Sequence, residues 1–254
     1  SSDIGAGIGG GDLGSGSDIT IDGGIVTATS GRFGAGIGGG GPDYTDIDKP
    51  GGSGSNITIN GGYVTANGGN QTGAGIGSGA GGSCSNITIN GGTVTASAGY
   101  NTISSAIGSD KKGSCTNITI NGGTVTATTR DGCSAIGLGE ETLISERFKS
   151  VNVDASLLVL AGSSKALARR ITPSTFTLLK QPYVHIEPLE LAPATYVDEN
   201  GIEQTTNATA VNSSTDKVLW FDGWYVVQGE VNLSKGAACN GNVHLILADG
   251  AKLT

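Results

Sequence analysis

Methionine is absent, and only 5% of residues are aromatic. A core built on large rings is therefore excluded, and whatever this chain buries must be small. Basic residues are outnumbered, 14 Lys and Arg against 22 Asp and Glu, for a net charge of −8. That argues against a nucleic-acid binder, which needs a basic stripe to displace counterions from phosphate. It argues equally against docking on anionic lipid. No run approaches the ~18 consecutive apolar residues of a membrane helix, so no membrane insertion is expected. Neither an initiator Met nor a signal peptide is recognisable, as expected of an internal or processed piece of a longer protein. Glycine is abundant, with 46 residues, but lacks the Gly-X-Y period of collagen. Hydrophobic residues, at 36%, recur in register, which excludes a disordered chain.

The register is a repeat. DITIDGGIVTA begins at Asp18, NITINGGYVTA at Asn56, and NITINGGTVTA at both Asn86 and Asn117, with starts 38, 30 and 31 residues apart. A second pattern alternates with it: GAGIGGG from Gly5 and Gly34, GAGIGSG from Gly73, and SAIG from Ser105 and Ser134. Self-similarity at this period signals a solenoid, propeller or array. In ITI and VTA the apolar residues sit two apart, the period of a strand with one buried face. The predicted inward columns are Ile19/57/87/118, Ile21/59/89/120, Val26/64/94/125 and Ala28/66/96/127. The second pattern adds Ala6/35/74/106/135 and Ile8/37/76/107/136. Three short strands per repeat, with like residues at like heights, predict an all-β fold. It is a parallel β-solenoid with three faces and coils ~4.8 Å apart. A propeller blade would need four antiparallel strands and aromatic signatures that are missing. Asn-Gly-Gly or Asp-Gly-Gly separates the first two strands, where Gly accepts positive φ and Asn tolerates the left-handed region. Asp22, Asn60, Asn90 and Asn121 are placed to form a side-chain ladder. An interior of Ile, Val and Ala is too narrow for a ligand, so binding is expected on outer faces or loops.

Three segments are expected: solenoid repeats over 1–150, a terminal coil and cap over 151–192, and a C-terminal β segment over 193–254. VNVDASLLVLAG reads as a last coil. SSKALARR reads as a short helix capped by Ser163 or Ser164. LLK and YVHIEP read as strands, and DENG as a turn. Both tryptophans, Trp220 and Trp224, lie in the last segment. They would either anchor a small core or pair as a sugar platform.

No catalytic residue is expected. His185 and His244 have no neighbouring Cys or His at ligand spacing, and the GxG runs precede no helix and carry no GK[ST]. β-Helical pectinases need clustered carboxylates on an outer face, and here the outer columns are Thr58, Thr88, Thr119 and Thr27, Thr65, Thr95, Thr126. Thr65, Thr95 and Thr126, with the Trp pair, are the candidate glycan surface. Such Thr arrays also resemble ice-binding faces, although unequal coil lengths argue against a flat lattice match. Asp43, Asp46 and Asp48 crowd one inserted loop. Ca²⁺ is the candidate ion there, but the spacing matches no EF-hand, and a solvated loop is the simpler reading. No other cofactor is expected. Cys84 and Cys115 occupy the same repeat position one coil apart, within disulfide range, which fits an oxidising, extracellular setting. Cys133 and Cys239 are left open between pairing across chains and free thiols. The sequons at Asn56, Asn86 and Asn117 recur inside coil strands, where glycans would crowd one another, and read as by-products of the repeat.

GAGIGGG, NITINGGTVTA, SLLVLAGSS and VHLILADGAKLT together resemble right-handed β-helix modules of large secreted surface or adhesin proteins of Gram-positive bacteria. Some of these are described as carbohydrate-binding. The resemblance implies a cell-surface location and a scaffold rather than an enzyme. It also implies an order, in which TYVDENG, GWYVV and VHLILADGAKLT open a module and the GAGIGGG coils follow. Residues 193–254 would then begin a next module or form an inter-subunit stacking element. The first coil, at Gly5, Ala6 and Ile8, presents an unpaired sheet edge. Strands around Val243, Leu245 and Leu247 of a neighbouring chain are expected to stack on it, head to tail. A glycan-binding module is the alternative, and a polysaccharide-degrading enzyme a third reading.

Overall fold

A computed structural model describes residues 4–43, 45, 48–99, 103–110, 112–130, 132–139, 150–171, 181–214 and 218–254. The chain divides into two units, Ser1–Pro188 and Leu189–Thr254.

The first unit winds through three stacked sheets. Each repeat contributes an A-I-G strand, an I-T-I strand and a V-T-A strand in that order. The AIG sheet stacks Ile8–Gly9, Ile37–Gly38, Ile76–Gly77, Ile107–Ser109 and Ile136–Leu138, all parallel. The ITI sheet stacks Gly16–Ile21, Gly54–Ile59, Cys84–Ile89, Cys115–Ile120 and Val151–Val153, again parallel. The VTA sheet stacks Ile25–Thr29, Tyr63–Asn67, Thr93–Ser97 and Thr124–Thr128 in parallel. The Ile and Val columns of the repeats pair like with like, Ile57 with Ile87 and Val64 with Val94. The expected Ala column is corrected, because Ile76 lies opposite Ile107, and Ala106, adjacent to Ile107, takes the height of Gly75 rather than of Ala74. The columns fill one core, in which Ile57, Ile59, Ile87, Ile89, Ile118 and Ile120 are fully buried. Each such side chain contributes roughly 1.5–3 kcal/mol on burial. Ile8, Ile19 and Val26 of the first coil are only partly buried, because the core covers them on one side alone.

Glycine in the AIG strands is a steric requirement. Gly38, Gly77 and Gly108 take φ of 131°, 136° and 139°, and a Cβ on each would overlap the carbonyl oxygen of the corresponding glycine one coil on.

The fifth coil departs from the simple stack. Leu157–Gly162 occupies the VTA position, but it does not pair with Thr124–Thr128. Tyr183–Pro188 lies between them, antiparallel to both. Its alternation continues the columns across the reversal: Val125, Ile186 and Val159 align, as do Ala127, Val184 and Ala161. Val184 and Ile186 are fully buried. Arg169–Ile171 then closes the sheet, antiparallel to Leu157–Gly162. The helix expected over SSKALARR is corrected. Only Lys165–Leu167 forms a single 3₁₀ turn, Ser164 makes no side-chain capping bond, and the following residues are strand. A segment this short cannot recover the cost of helix nucleation, and pairing with Leu157–Gly162 takes the next residues instead. The LLK run lies outside the described residues.

The second unit begins four residues before the boundary expected from composition. Leu191–Val197 and Glu203–Ala210 form an antiparallel hairpin. Val218–Val227 and Ala237–Leu247 follow in parallel, with Ala237–Leu247 at the sheet edge. The hairpin turn is fixed by Asp198, whose carboxylate accepts from the N–H groups of Asn200 and Ile202 at 2.9 and 3.0 Å and from Gln204 Nε2 at 3.0 Å. Glu230–Val231 and Lys252–Leu253 pair in parallel beside it.

Candidate functional site

Two polar ladders run along the first unit. The expected one is Asn121 to Asn90 to Asn60 to Asp22, each amide Nδ2 donating to the oxygen one coil back at 2.7–2.8 Å. A second was not anticipated. Ser150 Oγ donates to Asn117, Asn117 to Asn86, Asn86 to Asn56, and Asn56 to Asp18, at 3.0–3.1 Å. Its members Asp18, Asn56, Asn86 and Asn117 hold φ between 52° and 58°. Each is skipped by the strand pairing, which passes from Ser17–Ser55 to Ile19–Ile57. Asn and Asp tolerate this left-handed conformation best among residues with a side chain. In the Asn-Gly-Gly turns, by contrast, the second Gly takes the positive φ, 82° at Gly92, and Asn90 does not.

The core of the first unit includes a disulfide. Cys84 and Cys115 pair directly across coils, with Cα atoms 4.5 Å apart, and both are buried. Cys133 is a buried thiol and Cys239 an exposed one.

The outer face of the VTA sheet carries the Thr column. Thr27, Thr65, Thr95 and Thr126 pair in register, and the row continues into His185 and Leu160. Beside it, Ile25 is 86% and Tyr63 66% exposed. At the row's end Thr126 ceases to be a free surface hydroxyl. Thr126 Oγ1 and His185 Nδ1 are 2.8 Å apart, and His185 Nε2 lies 3.3 Å from Glu187 Oε2. These side chains line a pocket of about 370 Å³ with Tyr183 and Lys165. Burial, and secondarily the charge of Glu187, push the Tyr183 phenol above its ordinary value. Sequence reasoning missed this constellation, because the partners of His185 are brought to it by the inserted antiparallel strand.

The Trp platform is corrected. Trp220 is buried with Val211, Tyr225, Val227, Val231 and Leu233, its ring stacked 5.5 Å from Tyr225. Trp224 packs in a different cluster, between Tyr196 at 4.6 Å and His244 at 4.3 Å. The cause is a register shift between Phe221 and Gly223, where Gly223 takes φ 142°. The strand changes faces there, so a spacing of four places the two indoles in separate clusters.

In the inserted loop Asp43 and Asp48 are exposed, and Asp46 lies outside the described residues. Among the described residues no group of three or more His, Cys, Asp or Glu could hold a metal ion. The buried carboxylate near that loop is Asp110, which accepts the N–H groups of Gly81, Lys112 and Gly113 at 2.7, 2.8 and 3.2 Å. The proposed stacking residues are placed as follows. Ala6 and Ile8 lie at the partly buried edge coil, and the Gly5 carbonyl accepts from Ser30 Oγ. Val243 packs on the Trp220 cluster, while Leu245 and Leu247 are 40% and 56% exposed on the edge strand.

Residues 19–41, 57–80, 87–111 and 118–140 match a family model described as Beta helix repeat. The first unit is a parallel β-helix. The matched segments each run from an ITI strand to the following AIG strand, so the family repeat and the structural coil coincide. No curated protein and no solved structure matches the chain. Among the described residues no helix is long and apolar enough to cross a membrane.

Proposed function

We propose that this chain is a structural and adhesive β-helix segment of an extracellular bacterial surface protein, adding end to end through its first coil and its C-terminal strands. The observation that carries this reading is the stack itself. Its interior is filled by Ile, Val and Ala columns, which leaves chemistry to the outside. Three supports accompany it. The disulfide suits an oxidising compartment. The strands of the first coil form the outermost rung of all three sheets, the usual template for strand addition. Leu245 and Leu247 offer exposed apolar surface on another edge strand. Sedimentation velocity over a concentration series, with electron microscopy of the same samples, tests the reading. Rods that lengthen with concentration, and shorten when Ile8 or Leu247 is replaced by Lys, are expected. A concentration-independent monomer would end the head-to-tail proposal.

A glycan-binding role is the second reading. It is favoured by the exposed Tyr63 beside the Thr65–Thr95 row and by the Tyr196–Trp224–His244 ring cluster. A glycan array with Tyr63→Ala and His244→Ala variants tests it. Binding that neither substitution reduces would remove both surfaces from consideration.

A further inference from the structure

We propose that Thr126, His185 and Glu187 form a nucleophilic relay that accepts small acyl groups from esters onto Thr126 Oγ1. The hydrogen bonds determine the proton arrangement. A carboxylate accepts, so between the two tautomers of an uncharged imidazole Glu187 Oε2, at 3.3 Å, favours the one with the proton on Nε2. Nδ1 then presents its lone pair, and Thr126 Oγ1, 2.8 Å away, donates to it. A hydroxyl, a base and a group orienting the base, in that order, constitute an activated nucleophile. All three are placed by strand register, since Thr126 and His185 are directly paired and Glu187 is two residues further along the same strand face. Rigid sheet positions of this kind hold a constellation more closely than loops do.

The surroundings suit an acyl donor. The pocket of about 370 Å³ has Leu160 as an apolar wall, and this is within the usual range for small-molecule sites. Lys165 supplies the positive charge among the described lining residues, available to a developing oxyanion.

The steps balance without redox chemistry. Oγ1 attacks the ester carbonyl carbon as its proton passes to Nδ1 of His185. The bond to the leaving alcohol breaks, and the alcohol takes that proton from Nδ1. Thr126 is left as an ester, which water cleaves after giving a proton to the same nitrogen. Oγ1 regains that proton as the carboxylic acid departs. Glu187 acts through His185 and is a positioning residue.

The test uses the full chain and p-nitrophenyl acetate. Acid quenching followed by intact-mass and peptide analysis should find one acetyl group on Thr126. The Thr126→Ser variant should retain labelling. Thr126→Val should abolish labelling at this position, and His185→Gln should slow it by roughly 100-fold or more. In Glu187→Gln the ¹⁵N shifts of His185 should report a mixture of tautomers, which a merely structural role would not produce. Circular dichroism of each variant checks that the fold is kept. Acetyl on Lys165 or Tyr183 in place of Thr126, no acetylation at all, or an unchanged rate in His185→Gln would overturn the proposal.

Discussion

The ladders have a direction, and the direction can be measured. Asn90 Nδ2 donates to Asn60 Oδ1 at 2.8 Å, while Asn90 Oδ1 accepts from Asn121 Nδ2 at 2.8 Å. Asn90→Asp keeps the shape and the acceptor but removes the donor. One hydrogen bond, worth about 0.5–1.5 kcal/mol net, is lost, and a carboxylate oxygen is left facing the Asn60 carbonyl oxygen. Asp22 stands at the acceptor-only end, taking one bond from Asn60 at 2.7 Å. Asp22→Asn retains that acceptor and loses only charge assistance. The expected costs are about 1–2 kcal/mol for Asn90→Asp and below about 0.5 kcal/mol for Asp22→Asn. For a chain of this size each kcal/mol moves the melting temperature by roughly 2–4 °C. Thermal or urea unfolding of the two variants beside the parent gives the comparison. Equal losses, or a larger loss for Asp22→Asn, would refute the ladder polarity.

Ile89→Ala, at a fully buried column position, should cost about 2–5 kcal/mol in urea unfolding. Gly77→Ala should prevent accumulation of folded protein, because its Cβ overlaps the Gly108 carbonyl at φ 136°; soluble expression with parental circular dichroism would contradict this. Reducing Cys84–Cys115, which are separated by 31 residues, should lower stability by about 3–4 kcal/mol on the chain-entropy account, read from melts with and without reductant. The pKa of Asp198 is held below the ordinary carboxylate value, first by the Ile202 N–H and then by Gln204. A depressed folded-state pKa means that its contribution is present above the unfolded value and is lost as pH falls through the folded value. Protection of the Asn200 and Ile202 amides, taken relative to the intrinsic exchange rate at each pH, should therefore be lost only on strong acidification, and a midpoint at or above the ordinary carboxylate value would refute the assignment.

The columns were legible because a period of two, repeated at a fixed spacing, admits few folds. Ile19 through Ile118 and Val26 through Val125 could be paired by counting. The same alternation is blind to direction, so YVHIEP read correctly as a strand but not as one running backwards between two coils. It is also blind to an inserted residue, and the shift near Gly223 separated two tryptophans that spacing had placed together. The Asp18–Asn117 ladder was hidden because its asparagines looked like the first residues of ordinary strands. Their positive φ follows from the stack and leaves no mark beyond a preference for Asn or Asp. The Thr126–His185 contact spans 59 residues, and no local pattern announces such a pair.

The reversed strand has a consequence for the order of events in folding. Coils one to four need only the neighbouring repeat, so they can zip up in sequence as the chain emerges. The VTA sheet cannot finish in that way. Leu157–Gly162 can pair with Arg169–Ile171, but neither joins the earlier coils until Tyr183–Pro188, made later, slides in against Thr124–Thr128. The last tooth of the zipper therefore closes out of turn, and a nascent chain that ends before Tyr183 must hold Leu157–Gly162 apart from the Thr124–Thr128 edge it will later be joined to.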